Sequence, residues 1–247
     1  MTKDIPLRKK TVDQIAAMRE VQRATEAAMG AVISYLQSTQ SPTSERAHKI
    51  IDDVLEIHNC ESPEGHIVAG GKQGAEPHEM GHGLLQRGVP IVIDIYPRSK
   101  ATLHFADMSR TVCIGSASNE LRKMYDAVCA AQKLAMSMIK PKVECLKIQE
   151  SVDKLFVRVG YSTSGAGKEF AFAEGFVHGV GHGVGIHVHE APRIGRGSTD
   201  VLEEGDVVTV EPGLYYKHVG GIRLEDMILV TAGGAENLTN FPRHFEI

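Results

Sequence analysis

A chain of 247 residues with 42% hydrophobic content can bury a substantial core, as one large domain or two small ones. Its formal net charge is −4 and its pI about 6.3, so it has no basic field to hold a polyanion, which argues against DNA or RNA as a partner. The charged start MTKDIPLRKK is followed by no apolar h-region, and no apolar run approaches a bilayer span, so neither a secretory signal nor a membrane partner is expected.

The first long segment, TVDQIAAMREVQRATEAAMGAVISYLQ at 11–37, places Ile15, Met18, Val21 and Ala28 at helical spacing and is rich in Ala and Gln, which predicts a helix. A second helix is predicted in SPTSERAHKIIDDVLEIHN at 41–59. Thr43 is its N-cap, Glu45 lies in its first turn, and Ile50, Ile51, Val54, Leu55 and Ile57 form its apolar face. A Gly- and Pro-rich loop follows, GGKQGAEPHEMGHG at 70–83. VPIVIDIYP at 89–97 and LHFADMSRTVCI at 103–114 then read as strands, rich in Val, Ile and aromatics.

The order then repeats. SASNELRKMYDAVCAAQKLAMSMIKP at 116–141 is a long helix stopped by Pro141, and CLKIQESVDKLFVRVG at 145–160 is a second, ended by Gly160. After a histidine-rich stretch come two more strands, DVVTVEPGLYY at 206–216 and GIRLEDMILVT at 221–231. The repeat lies in the order of elements rather than in the residues, and it predicts two similar halves with a pocket between their sheets. STSGAGKEF at 162–170 fails as a phosphate loop, because Ser162 stands where the first Gly is required and Glu169 follows the lysine. Cys60, Cys113, Cys129 and Cys145 form no CxxC pair and read as reduced packing residues of a cytoplasmic protein.

Charged residues seldom occupy buried strands unless paired or bound to metal. Yet Asp94 lies inside IVIDIY, Asp107 inside HFADMSRTV, Glu211 at the end of VVTVEP and Glu225 inside GIRLEDMILV. Any one of them alone could sit on an edge strand facing water. Four together, with HGVGHGVGIHVHE at 178–190, point to a cavity where like charges are held by cations. Oxygen ligands with one imidazole suit a pair of divalent ions of the Mn, Co, Zn or Fe type, which would activate a water without a Ser or Cys nucleophile. The glycines around His182 permit close backbone approach; the competing reading is a Gly-rich surface loop with solvated histidines.

These blocks together resemble the pita-bread metallopeptidase family (M24), which contains methionine aminopeptidases, aminopeptidases P and prolidases. The matching segments are Asp94 in VIDIY, ADMSRT at 106–111, HGVGHGVGIHVHE at 178–190, VEPGLY at 210–215 and GIRLEDMILVT at 221–231, in the family's order over nearly the whole chain. The resemblance implies an α+β pita-bread fold of two pseudo-symmetric halves, with curved antiparallel sheets covered by helices. It implies two divalent metal ions held by Asp94, Asp107, His182, Glu211 and Glu225, with Glu211 also shuttling the proton. It implies that His189 stabilises the tetrahedral intermediate and that His78, rather than its rival His82, binds substrate. His178 would line the substrate pocket, Arg223 would orient ligands or substrate, and His187 would be structural.

VEPGLY, GGIRLED, HGVGH and GAEPHE resemble the aminopeptidase P and prolidase branch more than methionine aminopeptidase, so cleavage of an Xaa-Pro bond is the first expectation. Methionine aminopeptidase is the alternative, and a non-catalytic binding module a further one. The chain is expected to be a single catalytic domain over 1–247 without an N-terminal accessory domain. Its partner would be a peptide, and dimers are common in the family. Two departures concern specificity: the segment from Asp94 to Asp107 is slightly longer than usual, and Tyr96-Pro97 replaces the common Gly after the first Asp. Both imply an altered hairpin at the pocket rim.

Overall fold

The computed structural model describes residues 8–164 and 174–247. Most of the Gly-Lys run weighed as a phosphate loop, 165–170, lies outside them, as do residues 1–7 of the charged start.

Helix α1, Val12–Ser38, begins where the sequence supplies a capping box. The Thr11 hydroxyl accepts from the Gln14 N–H, and the Gln14 side chain accepts from the Thr11 N–H. Its buried face carries Met18, Val21, Ala28, Val32 and Leu36. Helix α2, Ser44–Ile57, is capped by Thr43 as predicted and buries Ile51 and Leu55. Ile57, assigned from sequence to the apolar face, is instead 81% exposed. It lies two residues after Leu55, about 200° around the helix.

Strands β1 (Cys60–Glu61) and β2 (His66–Gly70) follow, then a single 3₁₀ turn at Gln73–Ala75 in the His78 loop. Next come β3 (Pro90–Ile95), β4 (Arg98–Ser99) and β5 (Met108–Cys113). They form an antiparallel sheet of order β2-β3-β5, with β4 paired to β1 in a separate ribbon. The strand predicted from 103 starts five residues later, since Leu103 has φ +60°, which no ladder accommodates.

The second half opens with α3 (Asn119–Met138), capped by Ser118, and α4 (Cys145–Arg158), beyond which Gly160 adopts φ +91°. Helix α3 stops three residues short of Pro141, with Ile139 already extended. Seven strands follow among the described residues: β6 (Gly181–Gly183), β7 (Glu190–Ile194), β8 (Val207–Val210), β9 (Gly213–Tyr216), β10 (Gly220–Arg223), β11 (Asp226–Thr231) and β12 (Gly234–Asn237). Five of them form an antiparallel sheet of order β12-β11-β8-β6-β7, and β9 and β10 make a hairpin.

Each of the last two predicted strands is therefore two. The chain leaves its ladder at Glu211-Pro212 and again at Leu224-Glu225. At these breaks the Glu211 N–H donates to Val180 O at 2.7 Å and the Glu225 N–H to Ser109 O at 3.0 Å. Pro212 has no N–H to offer a ladder. So of the four acids read as strand-interior, only Asp94 is inside a strand. Asp107 immediately precedes β5, Glu211 follows β8, and Glu225 sits between β10 and β11.

Two apolar cores flank the sheets. One gathers α1, α2 and the β2-β3-β5 sheet; the other gathers α3, α4 and β8 to β10. Strand β11 serves both: Met227 and Leu229 enter the first core, Ile228 and Val230 the second. Alternation of side chains across a strand sends successive residues to opposite faces, so a strand walled on both sides reads as a continuous apolar run. All four cysteines are free thiols, and burial pushes each of them above its ordinary pKa.

Candidate metal centre

Between the β2-β3-β5 sheet and strands β6 and β8 to β11 lies a cavity of about 620 Å³. All nine residues singled out from sequence line it: Asp94, Asp107, His182, Glu211 and Glu225, with His78, His178, His189 and Arg223. His187 is exposed and is not among its lining residues. His82 is turned aside and held by Gln73, whose side chain donates to the His82 carbonyl at 3.0 Å and accepts from its N–H at 2.9 Å.

Potential ligand atoms of Asp107, His182 and Glu225 lie within 4.8 Å of one another. His182 Nε2 is 3.8 Å from Asp107 Oδ2 and 3.3 Å from Glu211 Oε1. The His182 Nδ1–H donates to Gly183 O at 3.2 Å, and burial holds its pKa at about 3, so Nε2 presents a lone pair to the acids. The carboxyls oppose one another. Burial and the neighbouring carboxylates push Asp107 and Glu211 well above the ordinary acid range, and Glu225 up to about 8. Asp94 Oδ1 is buried with no hydrogen-bond partner among the described residues.

An orphaned carboxylate oxygen, crowded acids and an imidazole lone pair at one point fit divalent cations with oxygen and nitrogen preference. Glycine lets the backbone approach. A Cβ on Gly181 would stand 2.0 Å from Thr209 O, and one on Gly183 2.3 Å from Ala191 O. These two residues flank His182, so β6 can lie between β7 and β8 only because neither has a side chain.

Around the acids runs a network that the sequence reading only partly anticipated. Arg223 Nε donates to Ser109 Oγ at 2.9 Å, Nη1 to Tyr215 Oη at 2.9 Å and to Pro77 O at 3.2 Å, and Nη2 to Asp94 Oδ2 at 2.7 Å. Its guanidinium is thus taken up by protein groups, Asp94 among them. Ser109 passes the connection on, its hydroxyl donating to Glu225 Oε2 at 2.9 Å.

Tyr215, unassigned from sequence, has its hydroxyl 2.8 Å from His178 Nε2. His178 Nδ1 lies 2.8 Å from Gly179 O, which can only accept, so Nδ1 carries the proton and Nε2 accepts from Tyr215. Burial holds His178 near a pKa of about 3, so it is neutral, with both nitrogens engaged. His189 packs its ring 4.3 Å from that of His182, and burial lowers its pKa. His78 is exposed on the wall formed by the 70–83 loop. Tyr96, at the departure noted in the sequence, also lines the cavity, as do Glu64 and Arg193. Nothing in the local sequence marks Ser109, Tyr215 or Glu64, since their parts come from neighbours distant in the chain.

The sequence model of metallopeptidase family M24 matches residues 16–232. The Xaa-Pro dipeptidase of Pyrococcus furiosus is 31% identical over 227 residues, covering 90% of this chain and 61% of that protein. The solved prolidase from Pyrococcus furiosus superposes with a TM-score of 0.85 at 29% identity, over 96% of this chain and 66% of its own. The Xaa-Pro dipeptidase from Bacillus anthracis does so with a TM-score of 0.87 at 27% identity, over 97% of this chain and 64% of its own. The chain thus spans between about half and three fifths of the length of the curated relatives it matches. By this match and by its two-halved α+β pita-bread architecture, the chain belongs to metallopeptidase family M24.

Proposed function

We propose that this domain is a divalent-metal-dependent exopeptidase that removes the N-terminal residue from peptides at Xaa-Pro bonds. The observation that carries the proposal is the convergence of Asp94, Asp107, His182, Glu211 and Glu225 on one cavity, with potential ligand atoms of three of them within 4.8 Å. These five would hold two divalent ions, with Mn²⁺ the first to try and Co²⁺, Zn²⁺ or Fe²⁺ the others. When bound, such a pair supplies a nucleophilic water at neutral pH and Lewis-acid polarisation of the scissile carbonyl.

The protein's own groups do the rest. Glu211, its carboxyl raised by burial and by Glu225, takes a proton from the attacking water and gives it to the leaving nitrogen. His189, beside His182, donates to the oxyanion, and His78 binds substrate from the opposite wall. His178 has no polar atom to spare, so it offers the substrate a ring edge, backed by Phe176 at 5.3 Å and Tyr215 at 5.4 Å. Such a wall suits an apolar ring like that of proline and supports the Xaa-Pro reading. The free thiols suit a reducing compartment, the cytoplasm, and a homodimer is the assembly to look for by light scattering.

A peptide panel tests the proposal. The protein loaded with Mn²⁺, Co²⁺ or Zn²⁺ is given Xaa-Pro dipeptides, Xaa-Pro-Xaa tripeptides and Met-Ala-Ser. Cleavage of the Xaa-Pro bond is expected. Cleavage of Met-Ala-Ser alone moves the domain to the methionine aminopeptidase branch, and no cleavage with bound metal refutes the enzyme reading.

A further inference from the structure

Most charged side chains of the cavity have partners. Its metal-ligand acids are held by one another, by His182, Arg223 and Ser109. Away from that cluster, Glu190 pairs with Lys10, and Asp200 accepts from the Arg193 N–H at 2.7 Å. Glu64 differs: it lines the cavity, yet its carboxylate has no hydrogen-bond or ion-pair partner among the described residues. It enters from the first half of the chain, two residues before β2, and it is exposed. The Tyr96 hydroxyl lies 3.5 Å from the Glu64 carbonyl, which sets Glu64 beside the Tyr96 ring.

We propose that Glu64 is a specificity residue that receives the cationic side chain of the substrate's N-terminal residue, so that lysine or arginine at that position is preferred. The inference rests on the Xaa-Pro exopeptidase reading above. It depends on reach. The α-ammonium of a substrate is two bonds from the scissile carbonyl carbon, so it must stay at the buried floor beside Asp94, Asp107 and Glu225. Only a group several bonds further along can extend to an exposed carboxylate on the wall. A lysine or arginine side chain has that reach, and its alkyl stem can run along the Tyr96 ring. An unpaired wall carboxylate also repels an acidic residue at the same place.

The test compares Lys-Pro, norleucyl-Pro and Glu-Pro with the Mn²⁺-loaded protein. Norleucine keeps the four-carbon stem of lysine without its ammonium group. The ratio of kcat/KM for Lys-Pro over norleucyl-Pro is expected at about two- to fivefold, the range of an accessible ion pair, and it should shrink in high salt. Glu64→Gln should bring the ratio to about one, and Glu64→Lys should turn the preference towards Glu-Pro. A ratio that Glu64→Gln leaves unchanged, or Lys-Pro and norleucyl-Pro lowered equally by it, overturns the proposal. If neither Xaa-Pro dipeptides nor Xaa-Pro-Xaa tripeptides are cleaved, the exopeptidase reading fails by itself. Calorimetric binding of the non-hydrolysable lysyl-ψ(CH₂N)-proline and its norleucyl counterpart still reads Glu64 in that case. A lysyl preference that Glu64→Gln removes supports the role, and equal binding sinks it.

Discussion

Arg223 Nη2 donates to Asp94 Oδ2 at 2.7 Å, while the other oxygen of that carboxylate is buried without a hydrogen-bond partner among the described residues. One oxygen is fixed by a guanidinium, and the other is the one that the proposed metal centre would use. The pair spans the two halves, since Asp94 is in β3 and Arg223 ends β10. Charged partners in a dry site are costly to separate, because the survivor is left unpaired. Arg223→Met is therefore expected to cost roughly 3–5 kcal/mol in unfolding free energy. It should also weaken divalent-metal binding by about 10–100-fold, as loss of a ligand-orienting residue does. Denaturant melts and metal titration calorimetry measure the two effects, and unchanged metal affinity would contradict the orienting role.

Glu211→Gln removes the proposed proton carrier while keeping shape and most polar contacts. Turnover should fall by about 10²–10⁴-fold, the worth of a positioned acid–base group. The circular dichroism spectrum should stay as in the parent. Retained turnover would disqualify Glu211 as shuttle.

The buried acids make stability depend on pH and metal together. Asp107, Glu211 and Glu225 are raised in the folded state, Glu225 to about 8. A raised acid binds its proton more tightly folded than unfolded. Its contribution is fully present below the ordinary carboxyl range and is lost as pH rises through the folded value. His178 and His182 are lowered to about 3, so their contribution is complete above about 6.5 and falls only in acid. Between pH 6.5 and 8 the acids alone act. Through Glu225 the metal-free protein should lose up to ~1.4 kcal/mol per pH unit there, at about 2–4 °C of Tm per kcal/mol. Added Mn²⁺ should raise Tm more at pH 8 than at pH 6.5, and at pH 6.5 its binding should release protons. Scanning calorimetry at both pH values decides; an equal metal effect at the two would count against the crowded-acid account.

Tyr215→Phe removes one oxygen that serves both Arg223 and His178. The His178 Nε2 acceptor is then buried and unsatisfied, at a cost of about 1–3 kcal/mol. His178 becomes free to swap tautomer or turn, so KM for Xaa-Pro substrates should rise more than kcat falls. Steady-state kinetics across the dipeptide panel separates the two.

Gly181→Ala would force a methyl to 2.0 Å from Thr209 O, in the strand that carries His182. Strand β6 must move away from β8, so stability should drop by roughly 1–3 kcal/mol or more. Metal affinity should fall with it, because His182 moves too. Near-parental metal binding in a well-folded Gly181→Ala protein would show that the close approach is not what sets the His182 position.

The sequence determined the elements whose cause is local. Thr43 and Pro141 lie beside apolar runs of helical period, so four helices were legible to within a few residues. The acids stood out because Asp94, Asp107, Glu211 and Glu225 interrupt runs of Val, Ile and Leu, where an unpaired charge is expensive. The tertiary structure alone decided that Glu211 and Glu225 lie at breaks between strands, since their N–H groups bond to Val180 and Ser109 from other parts of the fold. It alone gave Arg223 its partners, tied Tyr215 to His178, and left Glu64 lining the cavity without a partner among the described residues. Period and propensity act over a few residues. Which carboxylate meets a guanidinium, and which meets none, depends on groups a hundred or more positions apart, brought together only when both cores close on β11.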